Sequence, residues 1–458
     1  MAIGRTRRES DAAPRMPFLK KLFWAYFLLL IFEGALRKWI LPQLAAPLLI
    51  VRDPIALLII WEAYRTRKWP KRWSGVIGIM CVGMLGLAAV QLVVGDNSWI
   101  AVVYGLRSYL LPFPVAFIMG ESLDEQDLRQ FATWTLWLLL PLTVLEAFQY
   151  SASPTAFVNK GASIGSEQLA YAAGHVRASA TFSYVMGPML YLPMAAAFVF
   201  TGMAKPGLVK RWLIWAASCA LILSIPVVGS RTVVFELAAI LGCVGIAAFF
   251  GISEFLKSLQ MIFALLVVAL LVSRLPIFAD ASDTLVERFT EAQTSEGGSA
   301  TTSFYERVVG PYVRSAEDDT LRNPWLGNGV GYGSLAVSKL LTGEAQFSSG
   351  EEEFPRVINE FGWPCGLAFM LFRFLLALGL AAKAFAMARD GQPLAWLLVP
   401  IMANTLFLGT LEQPTVQGFM VIILAFSLAA LRKPPLPIES EVDGQAIHQL
   451  IRYSLSTR

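Results

Sequence analysis

An all-helical, polytopic membrane protein is the fold class this sequence predicts, on three observations. Of 458 residues, 56% are hydrophobic and only 15% are charged, more apolar surface than a soluble core could hide. The apolar residues gather into runs of about 20, the length a helix needs to cross a bilayer. One long polar stretch interrupts them, from about Leu275 to Phe361.

Taken in order, the runs predict about 12 spans, centred near Leu29, Ile55, Met84, Leu110, Leu140, Leu192, Leu221, Ala239, Val267, Phe372, Val399 and Leu424. Arg52, Asp53 and Pro54 interrupt the second, and only protein or water around them could shelter them there. The predicted organisation is a tail over 1–21, nine helices over 22–275, a large loop over 276–361, three helices over 362–431 and a second tail over 432–458.

Short basic loops stay in the cytoplasm, so lysine and arginine set the orientation. With both tails inside, Arg5, Arg7, Arg8, Arg15, Lys20 and Lys21 are cytoplasmic, as are the basic turns at 65–72, 205–211, 383–389 and 432–433. Among the strongly basic short loops only the Arg37-Lys38 pair breaks the rule. The first apolar run leads directly into further helices and lacks a small-residue cleavage site, so it is expected to be an anchor rather than a removable signal.

This orientation leaves Lys160, Arg177, Arg231, Arg307, Arg314, Arg322 and Arg356 on the outer side. Arg231 lies in the very short turn Gly229-Ser230-Arg231-Thr232. It is either a helix-end arginine reaching to the interface or a ligand-binding one. Several outer arginines would suit an anionic group, above all a diphosphate, which guanidinium planes grip in bidentate fashion.

Common catalytic signatures are missing. The two histidines, His175 and His448, are far apart, and Cys81, Cys219, Cys243 and Cys365 lack paired spacing, so no metal or redox motif forms. The run Gly327-Asn328-Gly329-Val330-Gly331-Tyr332-Gly333 lacks the ending of a nucleotide-binding loop and is better taken as a turn after Pro324.

In the loop, Phe354, Val357, Ile358 and Phe361 recur at helical spacing, with Glu352, Arg356 and Glu360 four apart on another face. Pro355 would open this helix, and Glu351, Glu352 and Glu353 either complement its positive end or supply a general base toward a hydroxyl. Helix-terminal acids are weakened as bases, which counts against the second choice. Tyr305, Val308, Val309, Tyr312 and Val313 suggest another amphipathic helix, kinked at Gly310-Pro311, with Arg307 and Arg314 nearly on one face. It would lie on the membrane surface over a lipid-linked substrate or pack on the bundle.

The pieces Arg177-Ala-Ser-Ala-Thr-Phe-Ser, Gly229-Ser-Arg-Thr, Arg307, Asn323-Pro324-Trp-Leu-Gly327-Asn-Gly329, Asn359-Glu360-Phe-Gly362 and Gly366 follow one another in an order that resembles the O-antigen ligase and O-antigen polymerase family. The similarity covers about residues 177 to 375, and Phe32-Glu33-Gly34-Ala35-Leu36-Arg37-Lys38-Trp39 resembles a motif of its polysaccharide-polymerase branch. The resemblance implies a GT-C-like inner-membrane glycosyltransferase whose large loop is periplasmic. Its donor and acceptor would be undecaprenyl-diphosphate-linked glycans, with membrane lipids, chain-length regulators and export proteins as further partners and no nucleic acid. It also implies that Arg177, Arg231 and Arg307, with Arg314 nearby, hold the carrier diphosphate, so that no metal or other cofactor is needed. Ligases of the family carry a histidine about nine residues before the Glu-x-Gly motif; here that position is Glu351. The departure favours a polymerase, with Glu351, Glu352 or Glu353 on the acceptor hydroxyl and Arg356 holding the acid or the sugar. Ligation to lipid A core is the nearest alternative. A transporter of lipid-linked sugar using Arg52, Arg107, Glu146 and Glu236, or a non-catalytic assembly scaffold, are the others.

Overall fold

The structure is a computed structural model that describes residues 17–94, 97–162, 171–172, 175–205, 207–250, 279, 281–287, 290, 310, 323–342 and 352–432. The predicted centre at Val267 lies outside these residues; a helix occupies each of the other centres. In chain order these are α1 (Phe18–Ala35), α2 (Arg52–Arg65), α3 (Ser74–Val94), α4 (Trp99–Leu110), α5 (Pro112–Ser122), α6 (Glu125–Ser151), α7 (Met186–Ala204), α8 (Arg211–Val228) and α9 (Arg231–Phe249). After the short α10 (Leu335–Thr342) come α11 (Glu353–Arg389), α12 (Leu394–Leu397), α13 (Val399–Ala403) and α14 (Pro414–Ala430). Among the described residues seven helices are long and apolar enough to cross a membrane, as befits a multi-pass membrane protein.

Prolines and glycines shape the helices locally. Pro112 has no N–H to continue α4, so α5 begins anew there. The run around Val399 is divided into α12, α13 and a π-helical turn, Asn404–Leu408. The second run requires a correction, because Arg52, Asp53 and Pro54 do not interrupt a helix but start one, in the first turn where a missing proline N–H costs nothing. Between α1 and α2 the chain forms a π-helical turn, Leu36–Ile40, and two 3-10 turns. The described residues are mostly helical, as expected, with one small antiparallel pair, β1 (Tyr171–Ala172) and β2 (His175–Val176).

The core is built around α14. Every residue from Val416 to Ala430 is buried, and the helix packs against α1, α5, α6 and α7. A helix apolar on all sides belongs at the centre. Peripheral helices instead expose large apolar side chains, among them Ile79, Val82 and Val93 of α3 and Leu371, Leu375 and Leu378 of α11. Contiguous apolar surface of this kind is what a lipid environment covers.

The bundle has two distinct ends. At the tail end, Lys20 bonds Asp124 at 2.8 Å and lies 2.6 Å from Asp127, while Arg432 donates to the carbonyls of Glu121 and Leu123. Asp124 and Asp127 also form the capping box that starts α6. Although partial burial pushes the Asp124 carboxyl up, the bonds from Lys20 and the Asp127 N–H hold it below its usual range. The opposite end, called the loop end below, carries the polar residues of interest.

Candidate functional site

The turn at 323–334 is fastened to a break in α11. Gly362 has φ 74°, and the helix changes direction there. An added Cβ at Gly362 would strike the Trp325 carbonyl and the Gly327 N–H, and one at Gly327, φ 72°, would strike the Glu360 carbonyl. Glycine is therefore required on both sides of the contact. Asn328 N–H donates to the Asn359 carbonyl at 2.7 Å and its side-chain amide to Asn359 Oδ1 at 2.9 Å. Trp363 N–H reaches the Pro324 carbonyl at 2.8 Å. Glu360 closes the clamp, its two carboxylate oxygens accepting from Gly331 N–H at 2.8 Å and Gly333 N–H at 3.1 Å. Gln91 of α3 adds a donor to the Glu360 carbonyl and an acceptor for Val330 N–H, both at 2.8 Å.

Beside this clamp is a buried cluster of acids and arginines. Arg356 and Arg373 are both fully buried, and both donate to Glu353, one to each oxygen. Arg373 also donates to the carbonyls of Leu406 and, at 2.8 Å, Gly409, tying α11 to the π-helical turn. Glu412, in the turn before α14, accepts from Ser334 Oγ at 2.9 Å and has its second oxygen 3.5 Å from Arg356 Nη1. Three acids, Glu353, Glu360 and Glu412, thus face two arginines. A π-helical turn at such a point is typical of functional regions.

A second, cationic patch adjoins it. Glu33 lies 3.0 Å from Arg52 and 3.5 Å from Arg37, while Arg107 takes both oxygens of Asp53. Lys38 donates to Ser179 Oγ at 2.7 Å and to the Ala180 carbonyl at 2.9 Å, and among the described residues it has no carboxylate in ion-pair range. Arg37 donates to Ser183 Oγ at 2.8 Å, and Gly34 leaves room for the backbone of Thr181–Ser183. Gln149, fully buried, holds the same segment by accepting from the N–H groups of Ser179 and Ala180. Ala180 is kept at φ 49°, which a non-glycine residue adopts only when its surroundings over-determine it. The two patches meet where Arg52 donates to the Pro414 carbonyl, two residues beyond Glu412.

Of the residues singled out from sequence, Glu353 and Arg356 come together here. Arg307, Arg314, Arg322 and Glu351 lie outside the described residues. Glu352 is the residue before the first turn of α11. Of the three charges four apart, Arg356 turns to Glu353 and Glu412, and Glu360 to backbone N–H groups. The segment is not amphipathic, since Glu353 through Gly362 is buried throughout, and the helix starts at Glu353 rather than Pro355. Arg177, half-buried, follows β2 and touches Met189 Sδ at 3.8 Å. The next residue, Ala178, packs with Tyr150, Val227 and Ala281, beside the last turn of α8. Gly229 then takes a left-handed conformation, φ 57°, to start the turn into Arg231. Lys160 lies over the Phe157 ring.

Sequence reasoning missed Arg373, Glu412, Ser334 and Gln91. A signal existed for Arg373, because a lone arginine inside an apolar run needs a partner. Among the described residues no group of three or more His, Cys, Asp or Glu side chains is arranged to hold a metal ion. No protein-family model matches the chain, and no curated protein is similar to it. Chemically, the loop end offers guanidinium and ammonium groups beside carboxylates in a sheltered setting. That arrangement can both stabilise an anionic leaving group and remove a proton.

Proposed function

We propose that the protein is a membrane glycosyltransferase that polymerises undecaprenyl-diphosphate-linked oligosaccharide repeats into an exopolysaccharide or O-antigen. One observation carries the reading: motifs far apart in sequence meet in pairs. Asn323–Gly329 clamps on Asn359–Gly362, and Gly34–Lys38 docks on Ser179–Ser183. Both contacts border one polar layer.

In this reading a hydroxyl of the acceptor glycan attacks the anomeric carbon of the donor, and undecaprenyl diphosphate leaves. Arg177 and Arg231, together with Arg307 and Arg314, grip the diphosphate, and the acid cluster serves the acceptor. The fold would be GT-C-like with twelve spans, the twelfth supplied around Val267. The protein would lie in the bacterial inner membrane with both termini cytoplasmic and the loop end periplasmic. Lys20, Lys205 and Arg432 at the tail end agree with that orientation. Of the four residues a transport path would use, Arg52 and Arg107 are occupied by Glu33 and Asp53.

The test is glycan profiling of a deletion strain complemented with wild type, Arg231→Ala or Arg307→Ala at equal membrane abundance. Single repeats left on the carrier, without long chains, would support polymerisation. Long chains that stay on the carrier would mean ligation instead, and wild-type glycans in the deletion strain would refute both.

A further inference from the structure

We infer that Glu412 is the carboxylate that takes the proton from the acceptor hydroxyl, an inference that rests on the transfer reaction proposed above. Among the described residues the other acids of the two patches are already committed. Both oxygens of Glu353 are held by arginines, one of them also approached by Leu411 N–H at 3.4 Å. Both oxygens of Glu360 accept backbone N–H groups, those of Asp53 belong to Arg107, and Glu33 is shared by Arg37 and Arg52. A carboxylate satisfied twice by donors is a poor proton acceptor.

Glu412 differs. Among the described residues only its Oε1 is hydrogen-bonded, to Ser334 Oγ, while Oε2 stands 3.5 Å from Arg356 Nη1, beyond a good hydrogen bond, on a side chain still 8% exposed. Ser334 is fixed in turn: its oxygen caps α10 by accepting from Ala336 N–H at 3.2 Å, so its own proton points to Glu412. The carboxylate is oriented by one neighbour, faces the guanidinium of another, and is left with an open lone pair. An apolar groove lies close by. Tyr104 lies beside Ser334 and Glu412, and it lines an apolar groove of about 780 Å³ between α2, α3 and α4. A lipid-linked acceptor in that groove would bring its polar end to this carboxylate.

The step balances without a co-reactant. The acceptor oxygen forms a bond to the anomeric carbon as its proton passes to Glu412 Oε2. The bond from that carbon to the diphosphate oxygen breaks, and its electron pair leaves with the diphosphate. Protonated Glu412 then returns the proton to water. Ser334 and Arg356 are positioning residues.

The experiment uses the full chain in lipid nanodiscs with an undecaprenyl-diphosphate-linked oligosaccharide as both donor and acceptor, following released carrier diphosphate. Loss of a general base lowers kcat by about 10²–10⁴-fold. Glu412→Gln should lose that much, with KM nearly unchanged, and should lose the acid limb of the pH–rate profile. Glu412→Ala should be partly rescued by added formate, which a merely structural role would not allow. A Glu412→Gln enzyme within about threefold of wild type, with the acid limb intact, would overturn the inference. Should Glu412→Gln fail to fold, Glu412→Asp decides: a lowered kcat that keeps the acid limb supports the base, and wild-type kcat refutes it. Arg231→Ala separates the levels, for if it blocks release while Glu412→Gln does not, the base alone is wrong. If neither variant nor wild type releases carrier diphosphate, the transfer reading falls as well.

Discussion

Arg373→Met tests whether the buried ion cluster holds the loop end together. Methionine roughly keeps the volume, so the change removes charge and hydrogen bonds rather than opening a large cavity. Arg373 is fully buried and donates to Glu353 and to the carbonyls of Leu406 and Gly409. Breaking a buried pair by removing one partner costs about 3–5 kcal/mol. Each carbonyl left without a donor adds about 1–3 kcal/mol where no water can replace it. Glu353 keeps Arg356, which softens the loss, and a net cost of about 4 kcal/mol follows. Against a total stability of about 5–15 kcal/mol, that is a large fraction. In a chain of this size each kcal/mol moves Tm by about 2 °C at most, so Tm of the purified protein in detergent should fall by about 5–8 °C. The double variant Glu353→Gln/Arg373→Met should lose clearly less than the two single losses combined, because it leaves no uncompensated acid behind. An Arg373→Met protein within about 1 °C of wild type, or strictly additive losses, would refute the coupling.

Three further outcomes are expected. Gly362→Ala puts a Cβ against the Trp325 carbonyl at a positive φ, so the 323–334 turn should undock, seen as faster amide exchange at Asn328 and Gly331 by mass spectrometry. Gln149→Leu strips the N–H groups of Ser179 and Ala180 of their acceptor and should cost about 2–4 kcal/mol, measured as lost heat stability and lower abundance. At the tail end, Asp124 has a lowered pKa, so its contribution is present above its unfolded value near 3.8 and lost as pH falls through the folded value. Tm should drop below about pH 4, and Asp124→Asn, modest in effect because the group is half-exposed, should flatten that drop.

Apolar run length was enough to place nearly every helix, because a span must satisfy its own backbone and so announces itself locally. The tertiary pairings were not legible. Arg37 and Lys38 violated the charge rule for a reason no window of sequence contains: they are buried against Ser183 and Ser179 of a segment more than a hundred residues away. Glu412 stands in a short turn and Arg373 inside an apolar run, and each acquires meaning only from Ser334, Arg356 or Glu353. The glutamates before α11 were legible as a group, but which one the arginines would claim depended on where the helix began. Pro355 pointed to a start two residues too late.

The central position of α14 bears on how the protein is made. Translation delivers this helix after α1, α5, α6, α7, α12 and α13, all of which pack against it. Until it arrives, those helices sit in the bilayer around a gap that lipid or the insertion machinery must fill. Assembly of the bundle is therefore a late event, completed by a segment from the far end of the chain rather than built up helix by helix. A stop codon before Pro414 would leave the earlier helices inserted yet unassembled, as prey for membrane proteases rather than as a weakened protein.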